Sequence, residues 1–449
     1  MAQRNKKALP LNIAAAAVVA SALMIAFTFV VVPYLTTAAQ QPQNEERRIL
    51  ALDSKYDYAA GGMVTRIDYV KVGDMQPNTA YWFLDPFGKT MEGNSASNDI
   101  LKPGSVLDLA YWDIIRENEP FEFYTIIRLP EWLGGDKDDI SAYRTYSMVA
   151  ISDQCLSRYW GNDGRWRIEN PCAGDLYRPW DGIAMGGPAA VGITGRSIVS
   201  AGHFNGLASL DLSVDSEGYI TAKRPNRDYF SNGMVGEGRR FTADMMQESN
   251  EEMARAAGAY AGYILPFPAS ISSTHHYLAD LRPITDEPQT LQYPTDHEVP
   301  QTLEAVYYTS PSGGDTGYSE VIIRSYRLDI FPELSLDSPK MTTGRIDISG
   351  QADDNQHLKL NQTTVDSLIH LGWYDNNNNR PRIVQSGADI AGDFSLFIAP
   401  VEIQGGEVVG SGALIWGRSL DGKDILVTIR ASSMNMEELV ALGETLPML

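Results

Sequence analysis

The distribution of apolar residues divides the chain into one uninterrupted N-terminal run and a long region of short segments. Residues 14–35 read AAAAVVASALMIAFTFVVVPYL, and no charged residue occurs between Lys7 and Glu45. A helix of about 20 apolar residues crosses the hydrocarbon core of a bilayer. The segment 10–35 is therefore predicted to be a transmembrane anchor. Residues 1–9 are predicted to be a cytoplasmic tail, because the basic residues precede the apolar run.

The alternative for this run is a cleavable signal peptide, with Thr37-Ala38-Ala39 as the small-residue cleavage site. The run is longer than the usual apolar core of a signal peptide, which favours the anchor. Residues 36–48 are polar and show no apolar period, so they are predicted to form a flexible tether. The sequence thus indicates a single-pass membrane protein whose main domains are extracytoplasmic, either periplasmic or at the cell surface.

Beyond the tether the pattern is typical of a β-rich protein. Short apolar segments alternate with Gly, Pro, Asn and Asp, and two tetrapeptides, Asp215-Ser216-Glu217-Gly218 and Leu420-Asp421-Gly422-Lys423, have the composition of hairpin turns. The segments predicted as strands include FEFYTIIRLP, YRTYSMVAIS, VIIRSYRLDIF, GRIDISG, FSLFIAPVEI, GALIWGRSL and DILVTIRAS.

Two helices interrupt the strand pattern. Residues 242–262 contain helix formers and no proline and begin at Thr242, a residue type that caps helices. The second helix begins after Asn435, with Glu438 in the position of a capping box. Its apolar face is formed by Leu439, Leu442 and Leu446. The predicted organisation is a β domain at 49–240, a linking helix at 241–264 and a β-rich α+β domain at 265–449.

Charge and motifs exclude several classes of function. The chain has 57 acidic and 36 basic residues, a net charge of −21, so it should repel nucleic acid. It contains no nucleophile elbow, phosphate loop, dinucleotide fingerprint or His-Glu-x-x-His sequence. We therefore expect a non-enzymatic protein.

The chain has two cysteines, Cys155 and Cys172, too few for a four-cysteine metal site. Export to an oxidising compartment would allow them to form a disulfide. The alternative is a pair of unpaired, buried thiols.

The sequence around the cysteines has a recognisable two-loop pattern. It runs YSMVAISDQC, then NPCAGDLYRPWDG, and then GGPA. This pattern resembles a Rieske iron–sulfur domain, in which one loop reads Cys-x-His-x-x-Cys and the other Cys-x-Cys-His-Gly, followed by a Gly-Pro-Ala turn. In this resemblance Cys155 and Cys172 take the positions of the two cysteines that form the disulfide between the loops. Pro171, Gly174 and residues 187–189 match as well.

The four positions that hold the [2Fe–2S] cluster in that family do not match. Ala150 and Ser152 stand in the first loop, and Asn170 and Ala173 stand in the second. A Rieske cluster needs two thiolates and two imidazoles, and alanine offers no lone pair. The resemblance therefore implies a Rieske-like β-sandwich that keeps its disulfide, has lost the cluster and binds no cofactor or metal.

Aromatic residues are concentrated around these loops, and three interpretations of them remain open. They fill the core, they form a docking surface for a partner protein, or they form a platform for a sugar. The residues are Tyr159, Trp160, Trp166, Tyr177 and Trp180.

The C-terminal sequence GALIWGRSLDGKDILVTIRASSMNMEELVALGETL is similar to the end of lipoprotein-carrier-like periplasmic domains. That resemblance implies a curved sheet able to hold an apolar ligand or a protein. The leading hypothesis is an accessory subunit of a membrane redox, or respiratory, complex, with protein partners in the membrane. One alternative is an extracytoplasmic regulatory protein that binds a ligand or partner through this domain. A true Rieske electron carrier is disfavoured, because the ligands are missing.

Overall fold

The predicted strands and turns assemble into antiparallel β-sheets. The protein is described here by a computed structural model covering residues 46–55, 63–86, 106–107, 123–161, 165–191, 203–223, 233, 235–271, 276–284, 302–309, 320–334, 382–387, 394–399, 401–402, 408–409, 411–432 and 434–449.

The strands of these residues, numbered in chain order, have the following bounds. They are β1 Glu46–Arg48, β2 Leu50–Lys55, β3 Met63–Tyr69, β4 Thr79–Leu84, β5 Val106–Leu107, β6 Phe123–Arg128, β7 Tyr143–Ser147, β8 Arg158–Trp160, β9 Arg167–Glu169, β10 Leu176–Tyr177, β11 Ala184–Gly186, β12 His203–Gly206, β13 Leu212–Val214, β14 Ile220–Lys223, β15 Arg239–Thr242, β16 Ser270–Ile271, β17 His276–Pro283, β18 Leu303–Thr309, β19 Glu320–Arg327, β20 Arg382–Gly387, β21 Phe394–Ala399, β22 Val401–Glu402, β23 Val408–Val409, β24 Ser411–Arg418 and β25 Asp424–Ala431. The α-helices are α1 Pro188–Val191, α2 Ala243–Ala261 and α3 Met436–Thr445, and the 3-10 turns are Glu131–Leu133, Ile140–Ala142 and Pro332–Leu334.

Two large sheets dominate the architecture. The first has six strands in the order β5-β3-β2-β4-β6-β7, and the second has eight strands in the order β16-β17-β18-β19-β25-β24-β21-β20. Smaller sheets are formed by β11-β10-β9-β8, β1-β14-β13, β12-β15 and β22-β23. The prediction of a mainly β protein is therefore confirmed.

Both predicted hairpin turns are present. The Asp215–Gly218 turn joins β13 to β14, and the Leu420–Lys423 turn joins β24 to β25. Gly218 and Gly422 have φ of 86° and 83°, a left-handed backbone that glycine adopts without steric cost. Turn chemistry alone was sufficient to predict these two connections.

Both predicted helices are present with their predicted caps. The Thr242 side chain accepts a hydrogen bond from the backbone N–H of Met245, and α2 ends at Gly262 with φ of 76°. At α3 the Asn435 and Glu438 side chains each accept a hydrogen bond from the other's backbone N–H, which completes the capping box. The leucines Leu439, Leu442 and Leu446 are buried, as predicted.

The core of the eight-stranded sheet includes residues from far earlier in the chain. Trp132, Leu133 and Trp180 belong to the same apolar cluster as helices α2 and α3 and strands β17–β19, β24 and β25. The Trp132 indole N–H donates to the Leu281 carbonyl at 2.8 Å. Residues from Arg47 to Leu449 form one compact unit. The proposed boundary at 241–264 stays a prediction.

Some sequence predictions fall outside the described residues. These are the anchor at 10–35, the cleavage site at 37–39 and the GRIDISG strand. Within the described part of the chain, no helix has the length and apolar character needed to cross a membrane. The tether at 36–48 stays a prediction, and its last three residues, Glu46–Arg48, form strand β1.

Candidate functional site

A disulfide connects the two loops that the sequence analysis singled out. The first loop lies between β7 and β8, and the second lies between β9 and β10. Cys155 and Cys172 are bonded, with their Cα atoms 6.3 Å apart. The predicted pairing is confirmed, and the alternative of two free thiols is wrong.

The first loop folds back on itself before it reaches the disulfide. The Ala150 N–H donates to the Cys155 carbonyl at 2.8 Å, and the Gln154 N–H donates to the Ala150 carbonyl at 3.1 Å. Val149 and Leu156 form a β-bridge at the base of the loop. These backbone bonds fix the position of Cys155 independently of its side chain.

The four positions that match cluster ligands in the resemblance lie in these two loops. Ala150 and Asn170 are buried, whereas Ser152 and Ala173 are half-buried. The Asn170 side-chain N–H₂ lies 3.4 Å from the Ser152 hydroxyl and 2.9 Å from the Asp153 carboxyl. Ser152 of the first loop and Asn170 of the second therefore lie next to each other across the loops.

A fully buried carboxyl group, that of Asp175, joins the two loops at this point. It accepts hydrogen bonds from the Ser152 hydroxyl, from the Asn170 side chain at 2.9 Å and from the Ala189 backbone N–H at 2.7 Å. The Tyr177 hydroxyl lies 3.3 Å from the same carboxyl. Sequence reasoning missed Asp175, because an isolated aspartate in an acidic chain gives no local signal.

Tyr177 extends the hydrogen-bonded network to the backbone of the first loop. Its hydroxyl accepts from the Ile151 N–H at 3.2 Å. Burial, together with the neighbouring Asp175 carboxyl, raises the pKa of Tyr177 well above its usual value. The Tyr177 hydroxyl therefore stays protonated and available as a donor near neutral pH.

The residues at the loops do not fit an iron–sulfur cluster. Two of the four matching positions are alanines, and the side chains of Ser152 and Asn170 are already bonded to Asp175. Asp153 lies within 4.8 Å of both cysteine sulfurs, but those sulfurs are bonded to each other and offer no thiolate. The donor set is that of a hydrogen-bonded structural junction.

The five aromatic residues near the loops separate into two groups. Tyr159, Tyr177 and Trp180 are buried, whereas Trp160 and Trp166 are half-buried. The buried group contributes to core packing and offers little surface to a partner. Partner contact by Trp160 and Trp166 stays a prediction.

Tyr159 fixes the β8–β9 hairpin to the six-stranded sheet. Its hydroxyl donates to the Asn78 side-chain oxygen at 2.7 Å, and the Asn78 N–H₂ donates to the Gly161 carbonyl at 2.9 Å. Burial raises the pKa of Tyr159 far above its usual value. The hairpin is thus held on its inner face by two hydrogen bonds to one asparagine.

Trp160, the half-buried residue after Tyr159 on β8, lies next to two guanidinium groups. The Cζ atoms of Arg158 and Arg165 are 4.4 and 4.1 Å from its ring centre. Trp166, which follows in the turn, has a φ of 46° and contacts the Trp132 ring edge-to-face at 5.1 Å between ring centres. Trp166 thereby anchors the turn to the large core.

A buried arginine connects the second loop to the eight-stranded sheet. Arg178 forms an ion pair with Asp181, and it also donates to the Asn250 side chain at 2.6 Å and to the Leu278 carbonyl at 2.7 Å. The Ser249 hydroxyl donates to Asp181 at 2.7 Å. The segment after Tyr177, helix α2 and strand β17 are therefore held together by one polar network.

A second buried acid, Asp280, lies on strand β17 of the eight-stranded sheet. Burial raises the pKa of Asp280 to about 7, although Arg282 and Arg167 oppose the change. The Arg282 guanidinium is 3.5 Å from the Asp280 carboxyl, whose Oδ2 has no hydrogen-bond partner among the described residues. Glu304 beside it pairs with Arg282 and with Arg324, each at 2.7 Å.

A groove of about 320 Å³ runs beside helix α2. Its floor contains Leu133 and Met253, and its rim carries both charge signs. Arg144 at the rim donates to the Trp180 carbonyl at 2.9 Å and lies 3.7 Å from the Glu252 carboxyl. The volume is in the range of a small-molecule site.

Comparisons with known proteins leave the family open. No family model matches the chain, and no curated protein matches it. Among solved structures, the terminal oxygenase of carbazole 1,9a-dioxygenase from Novosphingobium sp. KA1 is similar at 10% sequence identity, with coverage of 71% of this chain and 69% of that chain. The TM-score is 0.16, which carries no inference about fold or function. The Rieske resemblance therefore rests on the residues of the two loops.

Proposed function

We propose that this chain is a non-enzymatic, membrane-anchored accessory protein of a membrane redox complex. In this proposal the extracytoplasmic part has a Rieske-like domain that carries no cluster and contacts protein partners. A β-rich C-terminal part supports that domain. The proposal combines the loop resemblance with the predicted N-terminal anchor at 10–35.

One observation carries the proposal: of the four positions that match cluster ligands, Ser152 and Asn170 are bonded to Asp175 and the other two are alanines. The Asp175 carboxyl accepts hydrogen bonds from side chains of both loops, and the Cys155–Cys172 disulfide connects the same two loops. These bonds preserve the relative position of the loops without a metal. Loops that are held in place but offer no ligands are suited to contact with another protein.

The test is gentle detergent extraction of the tagged protein from its native membrane, with quantitative mass spectrometry of the co-purifying proteins. We expect cytochrome or quinol-oxidoreductase subunits in stoichiometric amounts. The control is a chain in which an unrelated soluble domain replaces residues 1–45, which leaves strand β1 intact. This control should recover none of these subunits. Recovery of the full chain without redox subunits would contradict the proposal.

The groove beside helix α2 favours a second candidate, an extracytoplasmic ligand-binding protein. It differs from the sequence-based version of that hypothesis, because the groove is formed by α2 and the segment after β6. Native mass spectrometry of the purified protein tests this candidate. A bound small molecule that is lost in the variant Ala256→Trp would support it, and an empty groove in freshly isolated protein would contradict it.

A further inference from the structure

The groove beside helix α2 carries charged groups that have no partner within the protein. The Lys137 ammonium and the Arg255 guanidinium line it, and neither has a hydrogen bond or an ion pair in the described part of the chain. The Asp136 carboxyl at the same groove is also without such a bond among these residues. Arg144 and Glu252, by contrast, face each other at 3.7 Å. Both signs of charge are therefore available to a ligand.

The two available cations lie beside the middle of the helix. Arg255 is followed by Ala256, and both line the groove. A Cβ atom on Gly134 would lie 3.8 Å from the Lys137 ammonium nitrogen and 3.9 Å from the Ala256 methyl carbon, so these two groups flank the glycine. Gly134 has a φ of 88°, a conformation that glycine adopts without steric cost. Because position 134 has no side chain, the groove stays open between Lys137 and the helix.

The end of the helix offers the opposite charge. Tyr260 lies in the last turn of α2 and lines the groove. Burial, together with the nearby carboxyls of Glu131 and Asp136, raises the pKa of Tyr260. The carboxyl-terminal end of a helix carries partial negative charge, and the last turn of α2 has no basic residue to pair with it. An aromatic ring beside carboxyl groups at a helix end favours an ammonium group.

The distance between these two regions limits the size of the ligand. Ala256 and Tyr260 are four positions apart on the helix, a rise of about 6 Å. The ends of an extended dipeptide are about 7 Å apart. The groove volume of about 320 Å³ has room for such a molecule, and the buried side chains of Leu133 and Met253 provide an apolar floor for its side chains. A zwitterion of this length has no net charge, so the net charge of −21 of the chain does not repel it.

We infer that the groove binds a zwitterionic ligand of the size of a dipeptide. Its carboxylate pairs with Lys137 and Arg255, because ammonium and guanidinium groups both bind carboxylates. Its ammonium group lies at Asp136 and Tyr260. This inference rests on the second candidate of the proposed function, ligand binding at this groove, and names the class of ligand.

Three forms of one dipeptide test the inference. The purified full-length protein is titrated in a calorimeter with leucyl-alanine up to millimolar concentrations, and then with its N-acetyl form and its C-terminal amide. We expect leucyl-alanine to bind and each blocked form to bind at least about tenfold more weakly, because each lacks one charge.

Matched variants assign each end of the ligand to its residues. K137Q/R255Q should bind leucyl-alanine at least about tenfold more weakly and should no longer distinguish it from its amide. Asp136→Asn should weaken binding and reduce the discrimination against the N-acetyl form. The control Arg418→Gln, at an exposed arginine paired with Asp424, should stay within about twofold of the unmutated protein.

Unchanged denaturation midpoints in these variants, together with the expected losses of binding, support the inference. Absence of binding by the unmutated protein, or equal binding by K137Q/R255Q, overturns it. A different small molecule that native mass spectrometry finds, and that Ala256→Trp loses, would then leave the second candidate intact with another class of ligand. An empty groove in that experiment would contradict the second candidate as well.

Discussion

Two buried aspartates are held in opposite ways, and both lie at junctions between sheets. Asp175 accepts hydrogen bonds from two loop side chains and one backbone N–H, so its carboxyl is well solvated by the protein. Asp280 has an oxygen without a hydrogen-bond partner among the described residues and lies 3.5 Å from its arginine. Asp175 stabilises its junction through these hydrogen bonds, whereas the raised pKa of Asp280 makes the stability of the protein depend on pH.

We expect Asp175→Ala to destabilise the protein by about 3 kcal/mol or more, because several buried donors lose their acceptor at once. Equilibrium urea denaturation measures the effect. The control is Asp136→Ala, at an exposed aspartate, which should change stability by less than about 0.5 kcal/mol. Similar effects for the two variants would show that the Asp175 network does not hold the loops.

The raised pKa of Asp280 predicts a specific pH dependence. The folded protein retains this proton up to about pH 7, whereas an unfolded aspartate releases it near pH 4. The contribution of Asp280 to the free energy of unfolding is therefore fully present at low pH and is lost as the pH rises through about 7. Between pH 4 and pH 8, the free energy of unfolding of the unmutated protein should fall by on the order of 2–4 kcal/mol more than that of Asp280→Asn.

Denaturation midpoints of the native protein and Asp280→Asn across that range provide the test. Parallel curves would mean that Asp280 titrates at its ordinary value in the folded state. Other titrating groups cancel in the comparison, because both proteins contain them.

At the scale of elements, the helix ends and hairpin turns are determined by a few local residues. Thr242, Asn435 and Glu438 could be predicted as helix caps, because their side-chain oxygens accept hydrogen bonds from backbone N–H groups at the start of the same helix. Gly218 and Gly422 could be predicted as turn residues, because these hairpin turns need a left-handed backbone at that position. These features could be predicted since the interacting atoms are only a few positions apart in the chain.

Asn435→Ala should destabilise the protein by about 1 kcal/mol through loss of the cap of α3. Leu439→Ala should cost about 2–5 kcal/mol, because Leu439 is fully buried in the large core. The control Glu444→Ala, at an exposed position near the end of the helix, should have little effect. If all three variants have equal midpoints in thermal denaturation, α3 does not stabilise the eight-stranded sheet.

The junctions between elements were not predictable in the same way. Trp132 carried no signal in the sequence and Trp180 had three open interpretations, and both pack into the core of the eight-stranded sheet. Arg178 is fully buried and bonds to Asn250 and Leu278, at sequence distances of 72 and 100. Nothing near such a residue in the sequence indicates its partner, because the contact exists only after the sheets have packed.

At the scale of the whole molecule, the disulfide, the Asp175 network and the Arg178 network connect three sheets and helix α2. The Cys155–Cys172 pairing was predictable because the chain has no other cysteines. The order of strands in the two large sheets was not, since β19 pairs with β25 across about a hundred positions. Long-range pairing of this kind depends on the total burial of both sheet faces.

Removing the disulfide should loosen one region of the molecule. The double variant C155S/C172S should lose about 3 kcal/mol of stability in the chain-entropy account. Hydrogen exchange should accelerate in β8–β10, whereas β25, in the centre of the large sheet, should keep its relative protection. Uniform acceleration across both regions would show that the disulfide does not act locally on the hairpin.

The most direct test of the central claim, that the two loops form a cluster-free structural junction, is the iron and acid-labile sulfide content of the protein. The protein should be isolated from its native membrane under anaerobic conditions. The account predicts substoichiometric iron and sulfide and no Rieske electron paramagnetic resonance signal, in native protein and Asp175→Asn alike. About two irons and two sulfides per chain with such a signal would contradict it, because the cluster would then have ligands that these loops do not provide.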